Sequence, residues 1–273
     1  MKTRAITGFF FVIVMVGSTL LGPHTFDIFY LALSSLCLFE FYKLIKQNNI
    51  EPLLILGLVT GIVLYAVFTI LAIDNSDPPR NHFLLALVPC FAAIFIQELF
   101  RKSLSPFTNI AYTMFGLLYT IIPFCFFNGL AYLDNYTGFN FHIPLAFLIM
   151  LWSNDTGAYL SGRFFGRTKL FERHSPKKTW EGFIGGVLIA ALAGYILSNF
   201  YKELSWDKWV IMAVLIGCFG TLGDLVESMF KRSINIKDSG GILPGHGGLL
   251  DRFDGLLLSA PIVYAYLYLI TNS

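Results

Sequence analysis

The sequence predicts an all-α, polytopic integral membrane protein with about nine transmembrane helices and a cytosolic amino terminus. Three observations predict it: an apolar composition, a succession of helix-length apolar runs, and basic residues that alternate between the connections. Of 273 residues, 56% are hydrophobic and only 13% charged, with a mean hydropathy of +0.67. A soluble domain of that composition would expose large apolar patches. A hydrocarbon layer about 30 Å thick takes roughly 20 apolar residues as a helix, so the chain holds many spans and no separate soluble domain.

The first run, roughly residues 5–22, follows Lys2 and Arg4 and has the layout of a signal peptide. Because many similar runs follow, it reads as an uncleaved first span. The others cover roughly 25–45, 52–73, 82–100, 109–133, 143–161, 182–201, 208–230 and 253–271. Backbone groups in hydrocarbon must bond within their own segment, and the runs lack the alternation of a membrane barrel, so each is expected to be helical. Residues 1–140 then form an amino-terminal set of about five spans, and residues 141–273 a carboxyl-terminal region with two long polar connections.

The connections test the order of spans. A cytosolic start places Lys2, Arg4, Lys43, Lys46, Arg101 and Lys102 inside, with Arg163, Arg167, Lys169, Arg173, Lys177 and Lys178 in one long connection. Lys231, Arg232, Lys237 and Arg252 fall in or beside the other. Of the nineteen Lys and Arg residues only Arg80, Lys202 and Lys208 fall outside, as the positive-inside bias requires. The four cysteines, Cys37, Cys90, Cys125 and Cys218, lie in apolar stretches with no close pair. That argues against a disulfide framework or zinc site and points to packing residues.

Acids within spans are costly and need a partner or a task. Asp155, Asp224 and Glu227 fall near cytosolic span ends, and Asp251 and Asp254 where the ninth span begins, so all five belong at one depth. On a helix, Asp224, Glu227, Ser228 and Lys231 share a face. Glu227 is either an interhelical link to a cation or part of a site. Asp224 and Asp251, from separate helices, suit a hard divalent cation, which takes oxygen ligands and completes its shell with phosphates and water. Glu40 and Glu98 stand apart and read as structural.

The stretch from Lys231 to Gly248 mixes cations with closely spaced glycines, including Gly247 and Gly248, a composition that lets backbone amides approach phosphate oxygens or simply makes a turn. Within it, His246 is open to three roles: general acid, phosphate donor or loop-stabilising hydrogen bonder. The segment Ser175 to Gly182, with Lys177, Lys178 and Trp180, reads either as an interfacial anchor or as a second phosphate clamp.

These residues resemble the CDP-diacylglycerol synthases, also called phosphatidate cytidylyltransferases. The resemblance rests on Ser228, Lys231, Arg232, Lys237, Asp238, Pro244, His246, Gly247, Gly248, Asp251, Arg252 and Asp254, which stand at the family's spacing. The segment Ser175 to Gly182 and the pair Asn154 and Asp155, ahead of Gly157 and Tyr159, also resemble family motifs. The resemblance covers about the last 130 residues, while the first four spans match in hydropathy alone. It implies an enzyme of phospholipid biosynthesis in the cell (inner) membrane, transferring the cytidylyl group of CTP to phosphatidic acid with release of pyrophosphate, its active site facing the cytosol.

Magnesium, with a monovalent cation such as potassium beside it, would be held by Asp224 and Asp251. Catalytic roles would fall to Asp224, Asp251, Lys237 and His246. Substrate contacts would come from Lys231, Arg232, Asp238, Arg252, Ser175, Lys177, Lys178, Asn154, Asp155, Ser228, Gly247 and Gly248. The implied partners are CTP, phosphatidic acid, membrane lipid and a second copy of the chain in a homodimer, with no nucleic acid. Two other readings exist for the same acids: a CTP-dependent polyprenol kinase and an ion-coupled transporter. The transporter reading is weakened by the absence of obvious repeated halves and by the gathering of polar residues at one face.

Overall fold

A computed structural model describes residues 2–74, 81–133, 138–236, 239–240 and 247–271, with side chains from Gly8 onward. The contacts divide the chain into two compact units, Met1–Phe139 with Asp238–Leu250, and Asn140–Lys237 with Asp251–Ser273.

In the first unit come α1 (Lys2–Leu20), α2 (Pro23–Lys46) and α3 (Leu54–Ile73), then a 3-10 segment (Asn81–Ala86) leading into α4 (Leu87–Phe100). There follow α5 (Pro106–Gly116), a π turn (Leu117–Ile121), α6 (Ile122–Gly129) and a short 3-10 turn (Leu130–Tyr132). Pro23 and Pro106 open their helices, where a missing N–H costs nothing. Pro123 has no N–H to offer the carbonyl of Tyr119, and the wider π turn lies at that place.

Helix α2 carries the core of this unit. Phe26, Tyr30, Leu38, Phe41 and Tyr42 are buried along it. The Tyr30 ring lies 4.7 Å from Phe26 and 4.9 Å from Phe127 between centroids. Tyr42 donates its hydroxyl hydrogen to the Thr113 carbonyl at 2.7 Å, and its ring fills the space that side chains at Gly57 and Gly116 would need. Glu98 is structural, as its sequence context suggests. It accepts from Asn109 Nδ2 at 2.8 Å, while Asn109 Oδ1 accepts the Glu51 N–H at 2.9 Å and Arg101 donates to the Glu51 carbonyl at 3.0 Å.

The second unit comprises α7 (His142–Phe165), a hairpin of β1 (Lys169–Phe171) and β2 (Ser175–Thr179), α8 (Trp180–Phe200), α9 (Trp206–Ser233) and most of α10 (Leu250–Thr271). The hairpin is antiparallel, with Lys169 opposite Thr179 and Phe171 opposite Ser175. The sequence presents this stretch as a loop. It is ordered by contacts that hydropathy does not report: Thr179 Oγ1 caps α8 by accepting the Gly182 N–H, and Glu181 accepts the amides of Arg167 and Thr168.

Helix α8 is inside out relative to a helix of a soluble protein. Its buried residues are Gly182, Gly186, Ala190, Gly194 and Ser198, a stripe of small residues every fourth position, while Ile184, Leu188, Leu192 and Ile196 face outward. Small residues let helix backbones approach closely where lipid removes the hydrophobic drive between helices. A Cβ at Gly186 would stand 2.8 Å from the Asn154 carbonyl of α7, and one at Gly194 would stand 2.8 Å from the Trp209 carbonyl of α9.

All nine apolar runs fold as helices. Among the described residues, seven helical segments are long and apolar enough to cross a membrane: Pro23–Lys46, Leu54–Ile73, Asn81–Phe100, Pro106–Tyr132, Trp180–Phe200, Trp206–Ser233 and Leu250–Thr271. Of the other two, α1 contributes a shorter apolar helix, Gly8–Leu20, and α7 carries Asn154, Asp155 and Arg163 in its second half.

Candidate active site

The second unit contains a cavity of about 520 Å³ whose wall comes from α7, the hairpin, α8, α9 and the start of α10. From α7 project Asn154, Asp155, Tyr159 and Arg163, spaced so that the last three lie four apart on one face. The hairpin supplies Lys177, Lys178 and Thr179, α9 supplies Thr221 and Asp224, and α10 supplies Asp251, Arg252 and Asp254. Gly162, Gly182 and Gly220 complete the wall.

Two ion-paired groups organise this wall. Lys178 Nζ lies 2.6 Å from Asp224 Oδ2 and 3.4 Å from the Thr221 carbonyl, tying the hairpin to α9. Ser228 donates to Asp224 Oδ1 at 3.3 Å. Further along the same face of α9, Lys231 Nζ bridges Glu227 Oε2 at 2.9 Å and Asp251 Oδ1 at 2.5 Å. Glu227 is buried, so the reading of it as a link to a cation is the one its contacts match. A buried carboxylate of this kind needs its cation, because removing one partner strands a charge.

Asp224 and Asp251, 27 positions apart in sequence, therefore line one cavity from two helices. Asn154 is almost wholly buried, with its Oδ1 set against Gly186 and Gly217, where side chains would collide with it. That oxygen has no hydrogen-bond partner among the described residues. The carboxylates here are hard oxygen donors, the chemistry a magnesium-type ion requires. Among the described residues no group of three or more His, Cys, Asp or Glu side chains stands ready as a metal site, so a cation here would rely on few carboxylates.

The structure brings Asn154, Asp155, Lys177, Lys178, Asp224, Asp251 and Arg252 together at the cavity. Ser228 and Lys231 support the two aspartates from α9. Arg232 turns away and donates to the Ile236 carbonyl at 3.1 Å, and Ser175 pairs across the hairpin with Phe171. Ser239, Gly247 and Gly248 belong to the first unit. Lys237, Asp238 and His246 lie outside the described residues. Sequence reasoning passed over Arg163, Thr179 and Thr221 as site residues. The four-residue spacing from Asp155 to Tyr159 to Arg163 was a signal that could have found the first.

A polytopic helical membrane protein with a cavity of opposed carboxylates and ammonium groups is the class that fold and site define. The chain belongs to the cytidylyltransferase family, whose model matches residues 2–270. It is 34% identical over 265 residues to the phosphatidate cytidylyltransferase of Staphylococcus haemolyticus, covering 96% of this chain and 97% of that one. It is 31% identical over 272 residues to the phosphatidate cytidylyltransferase of Bacillus subtilis, covering 98% of each. For the Staphylococcus aureus (strain COL) protein of the same name the identity is 35% over 266 residues, covering 96% of this chain and 97% of the other.

Proposed function

We propose that this chain transfers the cytidylyl group of CTP to phosphatidic acid in the second unit's cavity, giving CDP-diacylglycerol and pyrophosphate. The observation that carries the reading is the meeting of Asp224 and Asp251 with Lys177, Lys178 and Arg252 around one cavity, in a chain of the cytidylyltransferase family. A phosphatidate oxygen attacks the α-phosphorus of CTP. A new P–O bond forms there, the bond to the bridging oxygen of the β-phosphate breaks, and pyrophosphate leaves. The attacking phosphate is already anionic near neutral pH, so the step needs no strong base. Its barrier is the approach of two anions.

Positioning and charge stabilisation supply most of the catalysis in such transfers. Lys177, Lys178 and Arg252 provide positive charge at the cavity, and Arg163 enters it from α7. Asp224 and Asp251 would hold a magnesium ion, which when bound supplies further charge neutralisation on the phosphates. A monovalent cation such as potassium would add to that charge. The cavity opens to the cytosolic side of the cell membrane in this reading, with CTP arriving from water and the diacyl substrate from lipid, and the working unit is a homodimer.

Purified protein in mixed micelles with phosphatidic acid, magnesium and CTP labelled in turn in the cytidine and in the γ-phosphate provides the test. Cytidine label in the lipid with release of pyrophosphate is the expected result. Lipid labelled from the γ-phosphate alone would replace this reading with a kinase.

A further inference from the structure

Glu40 lies on α2, 210 residues before Leu250, yet its Oε2 accepts the Leu250 N–H at 2.9 Å. Leu250 opens α10. The first amides of a helix have no intrahelical acceptor, and a carboxylate placed there answers both the free N–H and the positive end of the helix dipole. Glu40 is buried, and so are Ser239, Gly248, Leu249 and Leu250 around it. Glycine at 240 and 248 is what admits the carboxylate. A Cβ at Gly248 would stand 2.7 Å from Glu40 Cδ, and one at Gly240 would stand 3.1 Å from it. Gly247 adopts φ 88°, a backbone conformation that side chains disfavour.

The residues that follow Leu250 in the chain are Asp251 and Arg252, both of which line the cavity. We infer that Glu40 is a positioning residue: its carboxylate fixes the first peptide of α10 and thereby where Asp251 and Arg252 emerge. The effect on turnover rests on the proposed function of the cavity, whereas the effect on the backbone does not. In the sequence Glu40 stands apart, because its partner at Leu250 is a backbone amide, which neither composition nor spacing reveals.

The test uses the full chain in proteoliposomes, with hydrogen–deuterium exchange over residues 249–253 and steady-state kinetics for CTP and phosphatidic acid. In Glu40→Ala the amides of 249–253 exchange at least about tenfold faster while α3, α5 and α6 keep their protection. The kcat of Glu40→Ala falls about tenfold or more with KM changed less than about twofold, because a shift of about an ångström in a reacting group is that costly. Glu40→Gln keeps an acceptor oxygen and recovers part of both. Should Glu40→Ala fold poorly, Gly248→Ala drives a methyl into the carboxylate and loosens the same amides. Unchanged exchange at 249–253, loosening spread evenly through the first unit, or a change in KM alone would overturn the inference. An Asp251→Asn control separates the two readings: full activity in that variant alongside local loosening in Glu40→Ala refutes the proposed role of the cavity and leaves the positioning role standing.

Discussion

Asn has the shape of Asp, and when either aspartate is neutralised Lys178 keeps the Thr221 carbonyl and Lys231 keeps Glu227. Asp224→Asn and Asp251→Asn are expected to fold as the parent does and to lose magnesium-dependent turnover by about a hundredfold or more, the scale of removing a principal charge stabiliser. Activity titrated against magnesium, beside a size-exclusion profile, checks this; full turnover at limiting magnesium would remove the metal assignment. Lys231 behaves differently. It lies between buried Glu227 and Asp251, so Lys231→Ala strands Glu227 and is expected to lower thermal stability, by about 3 kcal/mol, as well as activity. A Lys231→Ala protein with unchanged melting temperature would show that the bridge contributes nothing to the fold.

Among the elements, α8 is the one most constrained by its neighbours, because its small residues meet the backbones of α7 and α9. Gly186→Ala places a methyl against the Asn154 carbonyl and is expected to destabilise by about 1–3 kcal/mol, read as a lower melting temperature in detergent. An unchanged melting temperature would mean that α7 and α8 separate at no cost. At the other end of α7, His142 Nδ1 lies against Glu203 Oε1, and Asn140 Nδ2 donates to the same oxygen at 3.3 Å. Partial burial pushes the Glu203 carboxyl up, but the contacts with His142 and Asn140 outweigh it and hold the group below its ordinary value. A depressed carboxyl stabilises the fold above its unfolded value and loses that contribution as pH falls through the folded one. The stability gap between the parent and Glu203→Gln is therefore expected to be present at pH 6 to 7 and to close below about pH 4. A gap that persists or widens in acid would contradict the pairing.

For the whole molecule, the orientation reading gives a direct experiment. With the four native cysteines replaced by alanine, an impermeant maleimide added to intact cells is expected to label the Lys208→Cys protein and to spare the Lys102→Cys protein; the reverse pattern would invert the topology. The sequence by itself determined the helical membrane class and the order of the helices, because length and hydropathy act locally along the chain and lipid admits few alternatives. It also marked Asp224, Asp251, Lys177, Lys178 and Arg252, since charge in an apolar setting is conspicuous wherever it lies. Only the tertiary structure decided that Lys178 belongs to Asp224, that Lys231 joins Glu227 to Asp251, that residues 175–179 form a strand, and that Glu40 holds the start of α10. Each of these is a choice of partner between distant segments. Such choices follow from packing distance and from the space glycines leave, and neither is written in hydropathy or spacing.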